Sequence, residues 1–207
     1  MESEKEEKSM EKSELLESQH SNIIKKISKF QSNLTKEDIE FLIENVLPDD
    51  VSKMKPIWRL SEKKGFKASK FHEKCDGIKN TIFICENDKG QKFGGINFLT
   101  WDKSSVGKET DKNKIFSITK RTVHGIMMNE SGKNKGNRIS SKAIGYDKNS
   151  GPIMGVTDLI IGNNCDKDET CTSDFDIYEF TLEEDAESYL GNAESFKLKN
   201  FYIYSFS

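Results

Sequence analysis

The chain reads as a β-rich (α+β) protein: a two-sheet antiparallel β-sandwich with a few short helices, preceded by a helical N-terminal extension. Three observations predict this. All 14 glycines lie at Gly65 or later. Glycine weakens helices and serves turns, so a glycine-free leader followed by a glycine-punctuated body reads as helix first and strands afterwards. The leader carries apolar residues at helical spacing, and from Thr81 onward short β-prone runs alternate with turn residues.

Residues 1–14 are rich in Glu, Lys and Ser without apolar spacing, and are expected to be frayed or disordered. From Leu16 a seam of Leu16, His20, Ile23, Ile27, Phe30 and Leu34 steps by four and three. It is a short heptad pattern, open to a coiled coil or to a helix docked on the body. Thr35-Lys36-Glu37-Asp38 suits a helix N-cap with a carboxylate three positions on. Ile39, Leu42, Ile43 and Val46 then form one face, and Pro48 stops the helix. The extension is therefore placed at 15–47, a linker at 48–57 and the body at 58–207.

In the body, Ala68-Ser69 opens a short helix with Phe71 and Cys75 on its apolar side, stopped by Gly77. Thr81–Cys85 and Phe93–Thr100 are expected as a hairpin joined at Asn87-Asp88-Lys89-Gly90. Gly94-Gly95 inside it signals a bulge or a close backbone approach. Further strands are expected at Lys114–Thr119, Arg121–Met128, Lys142–Tyr146, Met154–Ile161, Phe175–Phe180 and Lys197–Phe206. Glu130–Asn137 reads as a polar loop and Asn149-Ser150-Gly151-Pro152 as a turn. The aromatic last strand is expected to pack centrally.

Composition narrows the function classes. Hydrophobic content of 34% against 32% charged is low for one compact domain of 207 residues, so part of the chain should lie outside a core. The net charge of −3 hides an asymmetry. Lys103–Lys142 holds ten Lys/Arg against three acids, and Asp158–Glu187 eleven acids against Lys167 alone. The basic tract lacks interleaved aromatics and the total is near neutral, so no nucleic-acid partner is expected. The start has no apolar segment of a secretory signal, and no run approaches the roughly 18 apolar residues of a membrane span. Neither end carries a lipidation pattern, so no membrane insertion and a cytoplasmic location are expected. Cys75, Cys85, Cys165 and Cys171 are then expected as free thiols.

Candidate chemistry is sparse. His72 and Cys75 are three apart on one helix and could form a Cys–His nucleophile pair, but no third residue orients them. Cys165 and Cys171 are too widely spaced for a zinc knuckle. Asp166, Asp168, Glu169, Asp174 and Asp176 offer oxygens for calcium, yet an EF-hand reading puts Cys171 and Ile177 where Gly and Glu belong. No Lys-Ser/Thr follows Gly151–Gly155, so it is not a phosphate loop. No catalytic residue, cofactor or metal site is therefore expected.

Four blocks in order carry a resemblance. Trp58-Arg59-Leu60 precedes Gly65-Phe66, Phe71-His72 and Cys75-Asp76. Phe93-Gly94-Gly95 stands ahead of Trp101. Ala143-Ile144 is followed by Gly151-Pro152-Ile153-Met154-Gly155 and Asp158-Leu159-Ile160-Ile161. Tyr189-Leu190-Gly191 precedes Phe196-Lys197-Leu198 and Tyr202-Ile203-Tyr204. Together they resemble the TLDc domain of the oxidation-resistance proteins, over roughly Trp58–Ser207. The family's glycine run reads Gly155-Val156-Thr157 here, a departure that alters the close approach those glycines permit.

The resemblance implies a two-sheet sandwich without an established catalytic site, serving protein interaction. It further implies a link to oxidative-stress protection or to regulation of the vacuolar-type proton ATPase. Trp58, Gly65, Phe66, Phe71, His72, Cys75, Asp76, Gly94, Gly95, Trp101, Gly151, Pro152, Gly155, Asp158, Tyr189 and Leu190 are its structural or interaction positions. Two alternatives stand beside it: a homotypic scaffold dimerising through the Leu16–Leu34 seam, and an enzyme using Cys75 and His72.

Overall fold

The computed structural model describes residues 2–31, 33–60, 65–102, 104, 110–127 and 143–207. It divides into two compact units, residues 1–55 with 206–207, and residues 56–205.

In the first unit, α1 (Glu2–Phe30) packs along α2 (Lys36–Asn45). The helix starts at Glu2, where 1–14 had been expected to fray. Glu, Lys, Met and Leu are good helix formers, and extending an existing helix avoids the cost of nucleating one. Ile23 and Ile27, midway along the seam, are 2% and 0% exposed, whereas Leu16 keeps 38%. The predicted cap is present and reciprocal: Asp38 N–H donates to Thr35 Oγ1, and Thr35 N–H to Asp38 Oδ2, both at 3.2 Å. Ile39 and Leu42 supply the buried face of α2.

The stretch read as a linker is not one throughout, because β1 (Met54–Arg59) begins within it. Just ahead, Ser52 and Lys53 N–H donate to Ser207 O at 3.0 and 2.9 Å. A pairing that long-ranged leaves no local trace in sequence.

The second unit holds α3 (Ala68–Cys75), β2 (Thr81–Asn87), β3 (Lys92–Asn97), β4 (Lys114–Ser117), β5 (Thr122–Gly125), β6 (Ile144–Gly145), β7 (Ser150–Met154), β8 (Leu159–Gly162), β9 (Cys171–Thr172), α4 (Ala186–Tyr189), β10 (Ser195–Phe196) and β11 (Leu198–Phe206). One sheet runs β1-β11-β2-β3-β4-β5 and the other β10-β9-β8-β7-β6. Phe83, Cys85, Phe93 and Ile115 of the first and Met154, Leu159, Ile161 and Phe196 of the second share one hydrophobic core. This is the predicted β-rich, two-sheet class, and the aromatic last strand does lie inside its sheet, between β1 and β2.

Two expectations change. The turn placed at Asn149–Pro152 lies two positions earlier, at Asp147–Ser150, so that Ser150–Met154 is strand, and Met154–Ile161 contains a second turn at Gly155–Asp158. Gly155, with φ +66°, makes the reversal there. Phe175–Phe180 forms no strand: Tyr178 makes a single bridge to Ile126, and a buried carboxylate holds the segment. Met128, Lys142, the Glu130–Asn137 loop and most of the basic tract lie outside the described residues.

Candidate functional site

The positions of the first motif block meet around α3. Its N-cap residue Lys67 makes no side-chain cap bond. The caps come instead from the acidic loop after β8. Ala68 N–H donates to Asn163 Oδ1 at 3.0 Å, and Phe66 N–H to Asp166 Oδ1 at 2.8 Å. Asn164 N–H returns to Phe66 O at 3.2 Å, and Lys67 Nζ bonds Asn164 Oδ1. The Ala68 bond satisfies one of the N–H groups that a helix start leaves orphaned, and the others tie the approach to it, so the loop serves as an external cap. Asn163 escaped the sequence reading, and Asp166 entered it only as a possible calcium ligand, not as a cap. The signal was there, since Asn and Asp are cap-type residues, but the N–H groups that donate to them lie about a hundred positions away.

The ring positions stack behind this cap. The Phe66 ring centroid is 5.4 Å from Trp58 and 5.3 Å from Phe201. Phe71 meets Trp101 edge-on at 5.5 Å, and Trp101 Nε1–H donates to Thr81 Oγ1 at 2.7 Å. These are the tilted and edge-to-face arrangements aromatic rings favour, with the indole N–H satisfied in the interior. Gly94 is a close approach rather than a bulge, since the β2–β3 register runs unbroken. A Cβ there would stand 2.0 Å from Phe83 O. Gly151 gives the same room to the Phe66 ring, and Pro152 is buried beside it.

His72 and Cys75 do not form a nucleophile pair. His72 Nδ1 lies 2.9 Å from Asp76 Oδ1, and Nε2 lies 3.0 Å from the carbonyls of Asp147 and Ser150. The imidazole thus ties the C-terminal end of α3 to the turn before β7. Cys75 is 0% exposed, and burial pushes its thiol far above the ordinary range, leaving it a core residue.

Asp158 anchors the second motif block. Its Oδ1 accepts from the N–H groups of Asp176, Ile177 and Tyr178 at 3.0, 2.7 and 2.7 Å. Tyr178 Oη then donates to Ala143 O at 2.8 Å. Burial pushes the Asp158 carboxyl up to about 6, against the pull of those N–H groups.

Tyr189 packs with His124, Phe175 and Phe180, and Lys120 Nζ sits 3.9 Å over its ring. His124 Nδ1 lies 2.9 Å from Glu179 O and so carries the proton, which leaves Nε2 to accept from Thr122 Oγ1 at 3.1 Å. Burial holds this histidine below its ordinary value. Next to Tyr189, Leu190 is buried, and Asn87 Nδ2 donates to Gly191 O at 2.7 Å.

Most of the motif is therefore interior. Among the sixteen positions Trp58 and His72 are half-buried, Asp76 is exposed and the others are buried. A hollow of about 510 Å³ in this unit, lined by Asp88, Lys89, Glu169, Asp185, Asn192 and Glu194 among others, contains none of them. In the first unit a smaller hollow of about 80 Å³ lies between Leu16, Ile23, Ile43 and Leu47. Among the described residues no group of three or more His, Cys, Asp or Glu is placed to hold a metal. No described helix is long and apolar enough to cross a membrane.

No curated protein matches the chain. The model of the TLDc domain family matches residues 28–207, a span that starts ahead of Trp58 and takes in α2 as well as the body. With that match over most of its length, and with the motif blocks folded into one two-sheet core, the chain belongs to the TLDc domain family.

Proposed function

We propose that this protein is a non-catalytic interaction module, which works through its exterior on a partner linked to oxidative-stress protection. The vacuolar-type proton ATPase is the partner class the family membership favours. One observation carries this reading: the motif side chains are consumed in holding the fold. Phe66, Phe71 and Trp101 fill the core, Asp158 ties down the 176–178 backbone, and His72 pins a helix end. A motif spent on architecture leaves recognition to the surface that the architecture presents.

The test is equilibrium binding of the full chain to the purified peripheral sector of a vacuolar-type proton ATPase, with ATP hydrolysis followed alongside. Saturable binding with altered hydrolysis is expected. Absence of binding at micromolar concentrations would remove this partner class. Turnover of any substrate by the chain alone, abolished by Cys75→Ala, would favour the enzyme alternative. A dimer in light scattering that Ile23→Asp dissolves, with the chain still folded, would favour the scaffold.

A further inference from the structure

His72 is held by acceptors on both sides of its ring. Nδ1 lies 2.9 Å from the Asp76 carboxylate oxygen Oδ1, and Nε2 lies 3.0 Å from both Asp147 O and Ser150 O. An ionised carboxylate and a backbone carbonyl can only accept, whereas a neutral imidazole donates from one nitrogen and accepts at the other. A neutral ring would therefore set one lone pair against an oxygen. The remaining contacts of His72 among the described residues are with the rings of Phe71 and Tyr146, centroids 5.3 and 5.0 Å away.

We infer that His72 is a proton-operated tie, charged while it joins α3 to the turn before β7 and forced to drop one end when its second proton leaves. The setting suits a cation, because His72 stands in the last turn of α3, where the helix carbonyls present partial negative charge. The other charged groups around it are engaged elsewhere or exposed. The Asp147 carboxylate accepts from Asn149 N–H and Ser150 Oγ–H, and Glu73 pairs with Lys70 and Lys74. Lys148 is exposed on the same turn.

On the neutral ring a single donor remains, so either the Asp76 bond or the pair of carbonyl bonds is lost, and the proton passes to solvent. Asp76 and residues 147–149 are exposed, so the released end can turn to water while Phe71 and Cys75 stay in the core. The tie joins the first motif block to the third, and its proton thus sets whether the two are linked at the surface. This inference stands independently of the proposed partner.

The test is nitrogen-15 NMR of the histidine rings in the full chain at pH 7, where an unpaired histidine, with an ordinary value of about 6.5, is mostly neutral. His124, protonated on Nδ1 alone, serves as the neutral reference. Both nitrogens of His72 are expected to carry protons. Asp76→Asn sets an amide donor beside Nδ1, and in that variant only Nε2 should keep its proton. Raising the pH of the wild type should remove one His72 proton and shift, with the same midpoint, the backbone amide signals of Asp76 or of Asn149 and Ser150. A singly protonated His72 in the wild type at pH 7 would overturn the inference. So would two protons retained in folded Asp76→Asn, or a ring that titrates while both segments stay unmoved.

Discussion

Gly65 and Gly155 are two versions of one device. Both are left-handed, with φ +64° and +66°, and each faces an aspartate that accepts backbone N–H groups. A Cβ on Gly65 would lie 2.9 Å from Asp166 Oδ2, and on Gly155 1.9 Å from Asp158 Oδ2. The difference lies in setting. Asp166 is half-buried, serves one described N–H and comes from a remote loop. Asp158 is fully buried, gathers three N–H groups and sits three positions from its glycine. The first pair can yield, because the tip of a partly solvated side chain can swing away. The second is closed in on every side, and its tolerance of change is correspondingly small.

Gly155→Ala is expected to be the most damaging change, costing about 3–4 kcal/mol in urea unfolding, since steric overlap adds to backbone strain. Asp158→Ala should follow at about 3 kcal/mol, because three buried N–H groups lose their acceptor. Gly65→Ala should cost only the left-handed penalty of about 1–2 kcal/mol. Equal losses at Gly65 and Gly155 would break the contrast.

Acid sharpens it. The folded-state value of Asp158 is raised, so the neutral carboxyl favours the folded chain. Its contribution is complete below the unfolded value of 3.8 and is lost as pH rises through about 6, on the order of 2–3 kcal/mol. His124 acts the other way: with its value lowered, it destabilises the fold as pH falls below 6.5. Asp158→Asn keeps an oxygen for the N–H groups and removes the titration. The stability difference between wild type and this variant should therefore change between pH 7 and pH 4, with wild type gaining on acidification. A constant difference would deny Asp158 its shift.

The smallest effect belongs to the leader. Thr35→Ala should cost about 1 kcal/mol, read as loss of helix signal, because one capping bond of a reciprocal pair disappears.

What could be read from sequence follows the same local-versus-remote division. The Thr35–Asp38 box, the Asn87–Gly90 hairpin and α3 depend on residues within a few positions of one another, and were legible. Asp158 was legible as a motif position, although its hold on residues 176–178 was not. Asp166 was read as a solvated or calcium-facing acid, because nothing near it in the chain reveals Phe66 as its partner. Phe175–Phe180 looked like a strand from its alternation, yet tertiary anchoring on Asp158 displaced the ladder. β9, β10 and α4 are too short for periodicity to register.

The most direct measurement compares the affinity of full-length wild type, His72→Gln and Cys75→Ser for the peripheral sector of a vacuolar-type proton ATPase, each confirmed folded by circular dichroism. If these motif residues hold the scaffold and the exterior does the binding, the three dissociation constants should agree within about threefold, under 1 kcal/mol. A folded variant that binds tenfold or more weakly would place the motif itself in the recognition surface and contradict its architectural role.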